Sequence, residues 1–151
     1  MRMVIQRVSS CRLIADGIDQ GTMGDGLLAM VGIEDGDESE KVMTYMLDKL
    51  MNLRVFEDEE GKLNLSVTDK QYGVYIVSNF TLYGDCRHGR RPSYSSGAGV
   101  EKAHAIYDRF VDFAKKNAKV PLFTGVFQAM MDIEATLSGP VTLLLDSDKV
   151  F

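Results

Sequence analysis

Met3-Val4-Ile5-Gln6-Arg7-Val8-Ser9-Ser10-Cys11-Arg12-Leu13-Ile14-Ala15 reads as one long strand with imperfect alternation. Met3, Ile5, Cys11 and Leu13 share a face, and Arg7 falls on that same face. An arginine among apolar neighbours needs partners. It either snorkels at the sheet edge or reaches carbonyl groups in a site.

Outward from this strand, Asp16-Gly17 and Gln20-Gly21 are turn signals that fold the chain back. Leu27-Leu28-Ala29-Met30-Val31-Gly32-Ile33 is a near-continuous apolar run that suits a buried strand. Asp37 followed by Glu40 resembles a capping box, and Val42, Met43, Met46, Leu47, Leu50 and Leu53 recur at helical spacing. Together they predict a first helix over about residues 38–52. Segments 53–56 and 63–67 flank Asp58-Glu59-Glu60-Gly61 and read as a hairpin with an acidic tip. A strand over 74–80 then delivers Ser78-Asn79-Phe80-Thr81-Leu82-Tyr83 at its end.

Residues 84–99 are loop-like, rich in Gly, Ser and Arg, and a loop of this length is usually functional or mobile. Ala103, Ile106, Tyr107, Phe110, Phe113 and Ala114 mark a second amphipathic helix ending near Asn117, ahead of Pro121. Strands over about 125–137 and 141–145, joined through Ser138-Gly139-Pro140, close the chain. Strands outnumber helices and arrive as hairpins, which predicts an α+β fold: a largely antiparallel sheet curling toward a barrel, with two amphipathic helices.

The length of 151 residues fits one domain over 1–151, able to bury roughly 70% of its unfolded surface. Gln6 and Arg7 interrupt any signal-peptide core, and no run of about 18 apolar residues occurs, so a cytoplasmic protein with no membrane contact is expected. Cys11 and Cys86 are far apart and read as reduced thiols. A net charge of −5 argues against coating DNA or RNA through the whole surface. A local anionic contact stays open, because Arg87, His88, Arg90 and Arg91 cluster in the long loop.

Three kinds of chemistry find little support. Asp85, Cys86 and His88 mix hard and soft ligands without a second cluster, so no metal is expected. A Cys-His hydrolase built on Cys86 lacks an orienting partner for His88 or His104. No Gly-rich phosphate loop is present, and no cofactor is implied. What remains are two strand-end segments. Ser78 and Thr81 offer hydroxyls, Phe80 offers an aromatic face, and the amides after Ser78 offer donors. Gly139-Pro140 is either an ordinary turn or, if cis, a pair of carbonyls aimed to grip an ammonium group.

On Val4-Ile5-Gln6-Arg7-Val8, Asn52-Leu53-Arg54-Val55-Phe56, Asn64-Leu65-Ser66-Val67, the segment from Ser78 to Tyr83, Gly89-Arg90-Arg91-Pro92-Ser93 and Gly139-Pro140-Val141-Thr142, the chain resembles the D-aminoacyl-tRNA deacylases. These enzymes remove D-amino acids from tRNA. The resemblance implies a homodimer with active sites at the interface, each entered by the aminoacylated 3′ end of a tRNA. It assigns Ser78, Asn79, Phe80 and Thr81 to the catalytic side. Gly139 and Pro140 would come from the other subunit, joined by a cis bond, as a chirality filter, with Arg7 bracing that turn.

Under the same resemblance the terminal ribose 2′-hydroxyl assists water, and Thr81 either shapes the site or acts as nucleophile. Two positions depart from the family pattern. Asn79 stands where the family has Gln, and Leu137 begins a segment that in the family reads Asn-x-Gly-Pro. They prompt an alternative, a related deacylase that edits another mischarged amino acid. A second alternative is a noncatalytic module that binds a tRNA end through Arg87, Arg90 and Arg91.

Overall fold

The computed structural model describes residues 1–150. Its strands are β1 (Arg2–Ala15), β2 (Ile18–Met23), β3 (Gly26–Gly32), β4 (Phe56–Glu57), β5 (Leu63–Leu65), β6 (Gly73–Ser78), β7 (Leu122–Thr124) and β8 (Met131–Asp146). Its helices are α1 (Glu40–Asn52), α2 (Val67–Lys70) and α3 (Val100–Asn117), and a 3-10 turn spans Phe80–Tyr83.

The long first strand is the spine of the sheet. One edge of β1 pairs antiparallel with β3 and then β2; the other pairs with β8, from Arg2 opposite Asp146 to Ala15 opposite Met131. The remaining pairings, β3 with β6 and β6 with β7, are parallel. A small hairpin of β4 and β5 stands apart from this sheet.

Two apolar clusters explain the hydrophobic patterns. Leu27, Ala29 and Val31 of β3, with Val74 and Ile76 of β6 and Met3 and Ile5 of β1, pack against Met46 and Leu50 of α1 and Phe110 and Ala114 of α3. Leu28, Tyr75 and Val77 leave the opposite face and pack against Val8, Cys11, Leu13 and Met23. Strands β3 and β6 are therefore covered on both sides, so neither alternates in sequence.

The spine passes from the first cluster to the second where its pairing with β8 is irregular, between Gln6 and Ser10. That bend curls the sheet over. The Tyr75 hydroxyl donates to the Gly21 carbonyl at 3.4 Å, tying β6 to β2, and its ring stacks on Phe123 of β7 with centroids 5.4 Å apart. The result is the expected α+β architecture with a nearly closed, barrel-like sheet.

Three local expectations change. Ser39, not Asp37, caps α1, accepting the Val42 amide at 3.3 Å. Asp37 is buried and instead accepts the Met1 α-ammonium and, at 2.8 Å, the Glu34 amide. The strand expected over 63–67 ends at Leu65 as β5, and Ser66 instead starts α2 through a reciprocal capping box with Asp69. The two closing strands are one, β8, which begins at Met131 rather than near residue 125 and runs through Gly139-Pro140. Among the described residues no helix is long and apolar enough to cross a membrane.

Candidate active site

Ser78 ends β6, and the Asn79 amide still donates to the Val31 carbonyl at 2.7 Å, continuing the parallel pairing by one residue. The chain then tightens into the 3-10 turn with Asn79 as its cap. The Asn79 Oδ1 accepts the Thr81 amide at 3.2 Å and the Thr81 hydroxyl at 2.5 Å. A short side-chain carbonyl suits this cap because it reaches the second amide without bending away. Buried Tyr83 anchors the far end: its hydroxyl donates to Glu34 at 2.6 Å, and the Arg2 guanidinium lies 4.5 Å from the ring centre. Burial, with Glu34 as partner, pushes the Tyr83 phenol well above its ordinary pKa. Phe80, by contrast, is 66% exposed.

The second segment bulges out of β8. Thr142 pairs with Gln6 and Leu137 with Val8, so residues 138–141 all stand opposite Arg7. The Gly139-Pro140 bond is cis and Gly139 has φ +115°. Arg7, only 6% exposed, donates to the Ser138 carbonyl at 3.2 Å, the Val55 carbonyl at 2.7 Å and the Glu57 carboxylate at 3.0 Å. The arginine on the apolar face of β1 thus reaches carbonyls rather than snorkelling. Val55 and Glu57 come from the acidic hairpin and its approach, and no local signal connects either of them with Arg7. Exposed Leu137 takes no part in these bonds.

The two segments do not converge within one chain. Ser78 is in register with Val31 and hence with Met3, whereas the bulge faces Arg7, four residues further along β1 and three strands away from β6. At standard strand spacings that separates them by about 13 Å along the strands and about 14 Å across.

The family model described as D-Tyr-tRNA(Tyr) deacylase matches residues 4–146, which include both segments and Arg7. The chain belongs to this family. A D-aminoacyl-tRNA deacylase of Kosmotoga olearia is 49% identical over 151 residues, covering 100% of both chains. One from Clostridium acetobutylicum is 48% identical, again over 100% of each. Among solved structures, one titled c-Myc DNA Unwinding Element Binding Protein has a TM-score of 0.89 at 34% identity, covering 97% of this chain and 98% of that one. Another, titled as a structural analysis of a probable eukaryotic D-amino acid tRNA deacylase, has a TM-score of 0.80 at 16% identity, covering 95% and 97%, and speaks for the fold.

In this member of the deacylase family the arginine-rich loop is partly self-neutralised. Arg87 clamps Asp85 through two bonds, Nε to Oδ1 at 2.9 Å and Nη2 to Oδ2 at 2.7 Å, and the clamp lowers the Asp85 carboxyl to about 2. Asp85 is thereby engaged with Arg87, and no group of three potential metal ligands occurs among the described residues. His104 lies on α3 with its ring stacked on Phe127, centroids 4.4 Å apart, remote in sequence from Cys86.

Proposed function

We propose that the protein hydrolyses the ester joining a D-amino acid to the 3′ end of tRNA, releasing the free amino acid and tRNA in the cytoplasm. The observation that carries this reading is the end-to-end identity of 49% with a D-aminoacyl-tRNA deacylase. Such an ester is already activated, so positioning and amide donors suffice for its attack by water without a metal or cofactor.

The site is completed by a second copy of the chain. Ser78, Asn79, Phe80 and Thr81 line one side, and Gly139 and Pro140 of the partner close the other. The in-chain separation of the two segments supports this arrangement, and so does the long exposed edge of β8. The Gly139 and Pro140 carbonyls crowd the side chain of an L-residue and accept the ammonium of a D-residue, so chirality is filtered by rejection. Arg7 positions that turn, and the ribose 2′-hydroxyl assists the attacking water. Thr81 shapes the site: its hydroxyl proton goes to an amide oxygen, which cannot serve as the general base a nucleophile needs.

Deacylation of D-tyrosyl-tRNA and L-tyrosyl-tRNA measured side by side tests the reading. Rapid release of D-tyrosine with the L-ester spared is expected. An intact D-ester under conditions where a control deacylase clears it would overturn the proposal. Equal cleavage of both would favour the related-deacylase reading, which Asn79 and the exposed Leu137 prompt.

A further inference from the structure

We infer that Phe80 and Tyr94 form a stacking platform for the bases of the single-stranded tRNA 3′ end, with Arg90 and Arg91 holding its phosphates. The inference rests on the proposed substrate for the identity of the strand. Phe80 and Tyr94 are far apart in sequence, yet their rings meet edge to face with centroids 5.1 Å apart. They are 66% and 42% exposed and belong to neither apolar cluster. A paired aromatic surface turned to solvent costs hydration without filling a core, and unpaired bases offer it π-faces regardless of sequence.

The platform is held in place. Tyr94 packs over Gly84, where a Cβ would lie 3.0 Å from its ring. Paired bonds between the backbones of Asp85 and Ser93, at 2.7 and 2.9 Å, close the loop that joins the two aromatics. With Arg87 turned back onto Asp85, Arg90 and Arg91 are the loop's exposed arginines without an ion pair among the described residues. Arg91 stands three residues from Tyr94, at most about 10 Å along the chain. A chain of net charge −5 therefore presents free cations beside an aromatic surface, where a polyanion with exposed bases would be held.

Fluorescence anisotropy with a short labelled RNA ending in CCA tests the platform without turnover. Tyr94→Leu, which keeps apolar volume but loses the π-face, is expected to weaken binding about tenfold, with Tyr94→Phe restoring it. Replacing both arginines by Gln should lower the slope of log affinity against log salt by about 1.4. On D-tyrosyl-tRNA the same variants should raise KM more than they lower kcat. Because Arg90 and Arg91 are exposed, the double variant gives a reading free of folding effects should Tyr94→Leu melt early. Wild-type affinity and salt slope in both the Leu and the double Gln variants would overturn the inference. Tight RNA binding without turnover of any D-ester would instead sink the proposed function and leave the platform standing.

Discussion

Arg7 donates through Nε to the Ser138 carbonyl at 3.2 Å, so the residue preceding Gly139-Pro140 is held by a side chain from the neighbouring strand. The same guanidinium reaches the Val55 carbonyl and Glu57, binding β8, β1 and the small hairpin at one point. A lysine is a point donor and cannot span these directions. Arg7→Lys should leave a buried carbonyl unpaired and cost about 1–3 kcal/mol in urea unfolding. Its kcat/KM for D-tyrosyl-tRNA should fall by about 10²-fold through displacement of the turn. Full activity in Arg7→Lys would separate this contact from function.

At Gly139 both backbone and space demand glycine. Its φ of +115° is rarely open to other residues, and a Cβ would sit 2.8 Å from Arg7 Nη2 and 2.9 Å from Val141 Cγ2. Gly139→Ala is expected to cost about 1–3 kcal/mol and to reduce discrimination between D- and L-tyrosyl-tRNA. Rates on both esters, with unfolding curves for the variant, check this.

Cys11 lies wholly inside the second apolar cluster, and burial lifts its thiol from an ordinary value of 9.0 to about 11. Between those values the unfolded chain gives up the proton while the native chain keeps it. Stability is then complete below about pH 9 and is lost as pH rises toward 11, by roughly 2–3 kcal/mol for a shift of this size. Burial likewise raises Tyr75 to about 12, which extends the loss in the same direction. Cys11→Ala should flatten the part of the unfolding free energy that falls between pH 9 and 11. A thiol reagent should modify exposed Cys86 in the native protein and Cys11 only after denaturation.

The spine of the fold was legible because alternation in β1 and helical spacing in α1 and α3 are local signals. Arg7 could be read as needing partners, since a guanidinium on an apolar face must find them. Which partners it takes was hidden, because Val55 and Glu57 reach it through tertiary contacts 48 and 50 residues away. The parallel pairings of β3 with β6 and β6 with β7 were hidden for the same reason. At α1, Asp37 had the spacing of a cap, but the buried Met1 ammonium claimed its carboxylate. At α2 a signal was present: Ser66-Val67-Thr68-Asp69 has capping-box spacing, masked by the apolar residues before it. The two site segments stood out in sequence, whereas their separation in the fold follows only from strand register.

The pairing of Asn79 with Thr81 permits a test of mechanism. If Thr81 shapes the site, Thr81→Ala should fold normally and keep activity within about tenfold, the usual scale for one neutral hydrogen bond. Asn79→Ala removes more. It takes away the cap of the 3-10 turn, about 1 kcal/mol of stability, and frees the amides that the turn orients. Its loss of kcat/KM should therefore exceed that of Thr81→Ala, though Asn79 carries no nucleophile. A reversed ranking, with a folded Thr81→Ala variant down more than about 10³-fold, would return Thr81 to the nucleophile role. Single-turnover deacylation of D-tyrosyl-tRNA, paired with thermal melts of each variant, distinguishes the two outcomes.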